Sequence, residues 1–277
     1  MAKQIGMNLM EICLIGCGKM GTALLTGWQQ DSQLEASFTV IDPALNGPPD
    51  LQATRYLRQQ SELETGYHPD LVILAVKPQM MASVLASLSG LGDETTCFLS
   101  IAAGLSTARL TVQLGRPARW LRVMPNTPAA IGQGISALYA SPDVPPEMVS
   151  LSRQLMGAVG EVVDLEDEVL MDAVTALSGS GPAYVFLLAE VIAAAGKKLG
   201  LPAELSVRLA RQTVIGAGAL MASEPATEAG QLRRNVTSEG GTTAAALAVL
   251  QQLMGCSLSL TGLCGRPITE AENWIVR

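Results

Sequence analysis

Glu11-Ile-Cys-Leu-Ile15, running straight into Gly16-Cys-Gly18-Lys-Met-Gly21, decides the fold. The first five residues form a short apolar run closed by a glycine, the pattern of a buried strand ending in a tight turn. Met20 to Trp28 then supplies helix formers with apolar positions suited to one packed face. Between strand and helix the spacing is G-x-G-x-x-G. In that setting the first glycine makes the turn, the second lets the backbone approach a pyrophosphate, and the third lets helix and strand pack closely. The helix N-terminus faces the anion. Gly16, Cys17, Gly18, Lys19, Met20 and Gly21 are therefore candidate dinucleotide-binding residues. Asp42 lies about twenty residues on, where a carboxylate can accept hydrogen bonds from a ribose diol. No Arg or Lys lies between Asp42 and Arg55, so a 2′-phosphate lacks an obvious local partner, which leans towards NADH over NADPH.

Outward from this unit, short apolar runs recur at helix-length intervals: Thr39–Ile41, Leu71–Val76, Cys97–Ile101, Trp120–Met124 and Gly134–Tyr139. Strands separated this way predict βαβ units and a mostly parallel sheet. After about Val163 the texture changes. Met171–Leu177, Tyr184–Leu199, Ala203–Ala222 and Thr243–Met254 read as helices, Gly200-Leu-Pro202 as a stop and restart, and Pro225–Gly230 as a loop. A last helix is expected over Ile268–Ile275. The reading is an α/β domain over 1–163 followed by an all-helical domain over 164–277. Several of these helices are apolar on more than one face, which requires burial, against a second subunit among other solutions.

The chain has 277 residues, is 48% apolar and 16% charged, and carries a net charge of −7. Its acidic total, scattered basic residues and 4% aromatic content offer neither the charge footprint nor the stacking platforms of a nucleic-acid binder. Five cysteines without a C-x-x-C pair argue against a disulfide scaffold or zinc ribbon and for a reducing, cytoplasmic setting. No run reaches about 18 uninterrupted apolar residues, so no membrane span is expected. The single histidine, His68, excludes His-rich metal sites and stands beside a proline away from every motif, as a surface or turn residue; no metal is expected.

Two turns end strands at the edge where open parallel sheets bind ligands. Ala75-Val76-Lys77-Pro78 follows the third strand and Ala102-Ala-Gly104 the fourth. Lys77 reads equally as a phosphate or substrate contact and as a solvated lysine before a helix-starting proline. Met124-Pro-Asn126-Thr-Pro128 sets an amide between two prolines at the same edge and is assigned to the cofactor side. A second glycine-rich turn, Leu177-Ser-Gly-Ser-Gly-Pro182, precedes another helix. The most informative segment is Val236-Thr-Ser-Glu-Gly-Gly-Thr-Thr243. Its glycines, hydroxyls and free N–H groups before a helix form a cradle for a carboxylate or phosphate, beyond what simple N-capping needs.

Taken together, Gly16-x-Gly18-x-x-Gly21, Ala75-Val-Lys-Pro78, Met124-Pro-Asn-Thr-Pro128, Ser178-Gly-Ser-Gly-Pro-Ala-Tyr184 and Val236-Thr-Ser-x-Gly-Gly-Thr-Thr243 resemble pyrroline-5-carboxylate reductases, in order and over nearly the whole chain. The resemblance implies an N-terminal Rossmann domain and a C-terminal helical domain that pairs two chains into a homodimer, in some members a ring of dimers. It implies reduction of 1-pyrroline-5-carboxylate by NADPH or NADH, the last step of L-proline biosynthesis. Ser238, Gly240, Gly241 and Thr242 fall where the family holds the substrate carboxylate. Thr243 falls on the threonine whose hydroxyl reaches the ring nitrogen, the expected catalytic residue, and Asn235 on a polar residue near that pocket. Glu239 departs from the family, which usually has proline there; its side chain is expected to face solvent. The residues leave two rival readings: a β-hydroxyacid dehydrogenase using Lys197 or Lys198, lysines that the dipole of a helix C-terminus alone explains, and a non-catalytic dinucleotide-binding regulatory subunit.

Overall fold

The computed structural model describes residues 9–44, 54–88 and 90–253. They divide into two compact units, one up to Gly179 and the other from Ser180.

In the first unit, strand β1 (Met10–Ile15) leads through the glycine turn into helix α1 (Lys19–Gln30) and back to β2 (Ala36–Ile41). Strands β3 (Thr54–Leu57), β4 (Leu71–Leu74), β5 (Cys97–Ser100), β6 (Arg119–Met124), β7 (Gly134–Ala140) and β8 (Gly160–Asp164) complete one sheet in the order β3-β2-β1-β4-β5-β6-β7-β8. The first six are parallel, and their order reverses between β1 and β4, the switch point at which such sheets open a ligand crevice. β7 turns back antiparallel to β6, and β8 runs parallel to β7.

Alternate residues of each central strand feed two core layers, because side chains in a strand alternate faces. Ile12 and Leu14 pack with Leu24, Leu25 and Trp28 of α1 and with Met148, Leu155 and Met156 of α4 (Pro146–Gly157). Cys13 and Ile15 pack with Met81 and Leu85 of α2 (Met81–Ser87) and Leu110 and Leu114 of α3 (Thr107–Leu114). Each fully buried leucine or isoleucine contributes roughly 1.5–3 kcal/mol relative to exposure. Trp28 joins the first layer by stacking on Phe38, with ring centroids 5.5 Å apart, and donates its indole N–H to the Leu155 carbonyl at 2.8 Å.

From Leu170 the chain is helical to Lys198: α5 (Leu170–Val174), a π turn (Thr175–Gly179) and α6 (Gly181–Lys198). The second unit holds α6, α7 (Ala203–Ser223), α8 (Ala229–Asn235) and α9 (Thr242–Leu253). Gly200, at φ +93°, makes the stop between α6 and α7. These two helices pack closely: a Cβ at Gly196 would stand 3.0 Å from Ser206 Oγ. Ala193, Ser206 and Ala210 are buried there, while Phe186, Leu187 and Val191 are exposed.

The strands and helices expected from sequence are all present in the described residues, with ends shifted by a few residues. Beyond these expectations the structure has β3 and β8, both short and partly polar, the π turn at Thr175–Gly179, and α8, which begins inside the expected loop Pro225–Gly230. The expected helix over Ile268–Ile275 lies outside the described residues. The helical stretch begins after β8, near the expected boundary at 163, but α5 and the π turn belong to the first compact unit, so the units divide at Gly179. Among the described residues one helix, Leu170–Lys198, is long and apolar enough to cross a bilayer by length and composition, although polar residues interrupt it and no uninterrupted apolar run of that length exists.

Candidate active site

The three glycines of the first turn each have a distinct physical reason to be glycine. Gly16 has φ +93°, and a Cβ there would meet the Ala75 carbonyl oxygen at 2.8 Å, so the turns after β1 and β4 touch backbone to backbone. Gly18 faces open space, leaving room for a ligand to approach the main chain. A Cβ at Gly21 would collide with the Gly16 carbonyl oxygen, so α1 leaves the turn only because residue 21 has no side chain. Gly18 is the N-cap of α1 and supplies no side-chain cap, and the first turn holds no acid. The N–H groups of Lys19, Met20 and Gly21 thus have no partner inside the helix and point their positive dipole end outward. This is a fit for a pyrophosphate.

Asp42 has a more specific task than sequence spacing conveys. One carboxylate oxygen accepts the Cys17 N–H at 2.5 Å and the other accepts the Ala44 N–H at 2.8 Å. The acid at the end of β2 therefore clamps the glycine turn at the end of β1. Gly16 N–H, donating to the Ile41 carbonyl at 2.9 Å, makes the same connection through the backbone. Cys17, between the two glycines, has its thiol pushed up from the usual range by burial, with the Asp42 charge adding to the effect. It stays a neutral thiol in the turn, with Sγ 3.5 Å from Thr22 Oγ1.

Ala75 and Val76 line the contact with Gly16, and Ala75 N–H donates to the Ile15 carbonyl at 2.8 Å. Lys77 is exposed and precedes the 3-10 turn Pro78–Met80, with no acid partner among the described residues. Ala102 is buried, and its N–H donates to Ser100 Oγ at 3.2 Å. All these residues sit at the carboxyl ends of the parallel strands.

Asn126 stands at the same edge but is occupied by protein at both ends of its amide. Its Oδ1 accepts the Ile135 N–H at 3.0 Å, and its Nδ2 lies 3.4 Å from the Ser178 carbonyl in the π turn. Gly179 packs on Met124, where a Cβ would stand 3.3 Å from the sulfur. Four residues earlier, Arg122 is buried and pairs with Glu168 at 3.0 Å; the same carboxylate accepts the Thr107 N–H at 2.7 Å and its hydroxyl at 2.8 Å. Arg122 and Asn126 thus fasten both ends of the segment 168–179 to the end of β6. Sequence reasoning missed the Arg122–Glu168 pair, because its members lie 46 residues apart.

In the second unit, the expected carboxylate cradle is a turn between α8 and α9. Gly241 N–H donates to the Ser238 carbonyl at 3.2 Å, and Gly240, third in the turn, has φ +69°. That positive φ is what a type II turn demands, and glycine supplies it without strain. A Cβ at Gly241 would meet Ser238 Oγ at 2.5 Å, so the serine hydroxyl folds over the turn. Glu239 is exposed, as expected. Thr242 and Thr243 open α9, where N–H groups are free of helical partners. Asn235 ends α8 and accepts a hydrogen bond from Gln231 Nε2 at 2.7 Å.

His68 is exposed in the loop before β4, beside a cleft of about 680 Å³ at the amino ends of the strands. There the Glu11 carboxylate accepts the hydroxyls of Ser37, Thr39 and Tyr67, a self-satisfied polar cluster remote from the glycine turn. Among the described residues no group of three or more His, Cys, Asp or Glu is placed to hold a metal ion.

Residues 11–104 match a family model described as NADP oxidoreductase, coenzyme F420-dependent, and residues 168–258 match one described as pyrroline-5-carboxylate reductase dimerisation. A pyrroline-5-carboxylate reductase of Pseudomonas aeruginosa is 40% identical over 246 residues, 88% of this chain and 90% of that protein. The chain belongs to the pyrroline-5-carboxylate reductase family. The structure of a pyrroline-5-carboxylate reductase from Coxiella burnetii has a TM-score of 0.79 at 32% identity, covering 95% of this chain and 98% of that one. That of Plasmodium falciparum pyrroline carboxylate reductase, solved with NADP bound, has a TM-score of 0.78 at 29% identity, covering 94% and 96%. Membership in the pyrroline-5-carboxylate reductase family accounts for the exposed apolar helices, since α6 through α9 lie within the region matched by its dimerisation model.

Proposed function

We propose that this chain reduces the C=N bond of 1-pyrroline-5-carboxylate to give L-proline, using NADPH or NADH. The 40% identity to a pyrroline-5-carboxylate reductase over 88% of the chain carries this reading. When bound, the reduced nicotinamide supplies the hydride. The chain's own residues bind and orient. Gly16 to Gly21 and the turns at Ala75–Pro78 and Ala102 hold the dinucleotide at the carboxyl edge of the sheet. Ser238, Gly240, Gly241 and Thr242 anchor the substrate carboxylate through hydroxyls and backbone N–H groups, with Asn235 bordering them. Thr243 directs its hydroxyl at the ring nitrogen. A protonated imine is already electrophilic, so alignment of donor and acceptor carbons is the main requirement. No histidine base is needed, which suits a chain whose only histidine stands elsewhere.

The chain works as a homodimer through its helical unit, and in the cytoplasm rather than at a membrane. The region matched by the dimerisation model, the outward-facing Phe186, Leu187 and Val191 and the reduced-thiol composition support these statements. Purified protein mixed with 1-pyrroline-5-carboxylate and NADPH or NADH is expected to consume the reduced-nicotinamide absorbance with formation of proline. Thr243→Ala is expected to lower kcat by ten- to a hundredfold and leave dinucleotide affinity within twofold. Full turnover in Thr243→Ala would remove that residue from the mechanism.

A further inference from the structure

Sequence spacing leaves a 2′-phosphate with no basic partner near Asp42, yet residues 11–104 match an NADP oxidoreductase model. The fold supplies what the spacing hides. β3 pairs with β2 in parallel register, Ile41 opposite Leu57, and the Asp42 N–H donates to the Leu57 carbonyl at 3.0 Å. Arg58 follows Leu57 directly and Asp42 follows Ile41, so the two leave the sheet from paired positions at the ends of adjacent strands. Arg58 is exposed and makes no hydrogen bond or ion pair among the described residues. Arg55, within β3, is instead committed to Glu64 at 2.8 Å. The Asp42 carboxylate, meanwhile, has both oxygens engaged by the Cys17 and Ala44 N–H groups.

In this fold class the adenosine ribose lies at the end of the second strand, and an arginine nearby accommodates a 2′-phosphate. We propose that Arg58 is the specificity-determining residue for NADPH, pairing its guanidinium with the 2′-phosphate beside a carboxylate that is spent on the glycine turn. The inference rests on the dinucleotide reading of Gly16–Gly21. Guanidinium and phosphate form a charge-assisted pair, whereas a 2′-hydroxyl gains little from the same cation. Arg58 therefore acts on the one group in which the two cofactors differ.

The test is calorimetric titration of the full-length protein and of Arg58→Ala with NADP⁺, NAD⁺ and adenosine 2′,5′-bisphosphate, independent of turnover. Arg58→Ala is expected to weaken NADP⁺ and the bisphosphate at least tenfold and to leave NAD⁺ within twofold, with Arg58→Lys recovering part of the loss. Equal effects on NADP⁺ and NAD⁺, no effect on either, or a native protein that binds only NAD⁺ would overturn the proposal. A native protein that binds none of the three would instead refute the dinucleotide reading itself.

Discussion

Single side chains carry more of this design than their residue types suggest. Asp42 is the clearest case: spacing identifies an acid at the end of β2, but not that its oxygens are taken by two backbone N–H groups. A carboxylate held this way organises the turn before any ligand arrives. Glu239 offers a complementary case. It occupies the second position of the Ser238–Gly241 turn, where proline would pre-set φ, and its N–H donates to nothing among the described residues. Glu239→Pro is expected to stabilise the protein by about 0.4–1 kcal/mol, through reduced freedom of the unfolded chain. Urea denaturation of the two proteins measures it, and a loss of stability would show that the turn is not of the kind described. The glycines at 16, 18 and 21 were legible because each answers a steric demand of a repeated local motif. Asn126 was less so: its side chain joins β7 to the π turn, and an amide bridging residues 9 and 52 positions away leaves no periodic trace.

Among elements, legibility followed length and pattern. The apolar strands β1, β4 and β5 announce themselves because they are buried on both faces. Thr54-Arg-Tyr-Leu57 does not, being a half-buried edge strand of four residues, and overlooking it concealed the placement of Arg58. The π turn was hidden for another reason: one wider turn inside an apolar helical run hardly alters the hydrophobic period. The Arg122–Glu168 pair lies at this scale too, since it ties the root of the long helix to β6 and to the first turn of α3. Arg122 retains only 5% of its side-chain exposure, so removing its counter-charge strands a cation in the interior. Glu168→Ala is expected to cost about 3–5 kcal/mol, more than truncation of an exposed pair such as Arg55–Glu64. Comparing Glu168→Ala with Glu64→Ala by chemical denaturation tests the difference, and similar midpoints would contradict it.

For the molecule as a whole, the two units answer opposite solvent problems. The first completes its own core in two layers around one sheet. The second buries Ala193, Ser206 and Ala210 between α6 and α7 and turns Phe186, Leu187, Val191 and Ile215 outward, with Phe186 and Ile215 lining a groove of about 620 Å³. Contiguous exposed apolar surface of this kind marks an association site. Phe186→Glu is expected to shift sedimentation from dimer to monomer while leaving dinucleotide binding within twofold, because Phe186 lies outside the glycine turn. A dimer undisturbed by this charge would move the interface elsewhere. The exposed apolar side chains of the helix from Leu170 to Lys198 bear on maturation as well. A helix that finds its cover on another copy turns the last step of folding into an encounter between two chains, so its rate rises with the square of their concentration. Scarce newly made chains wait longest, with their stickiest surface still uncovered.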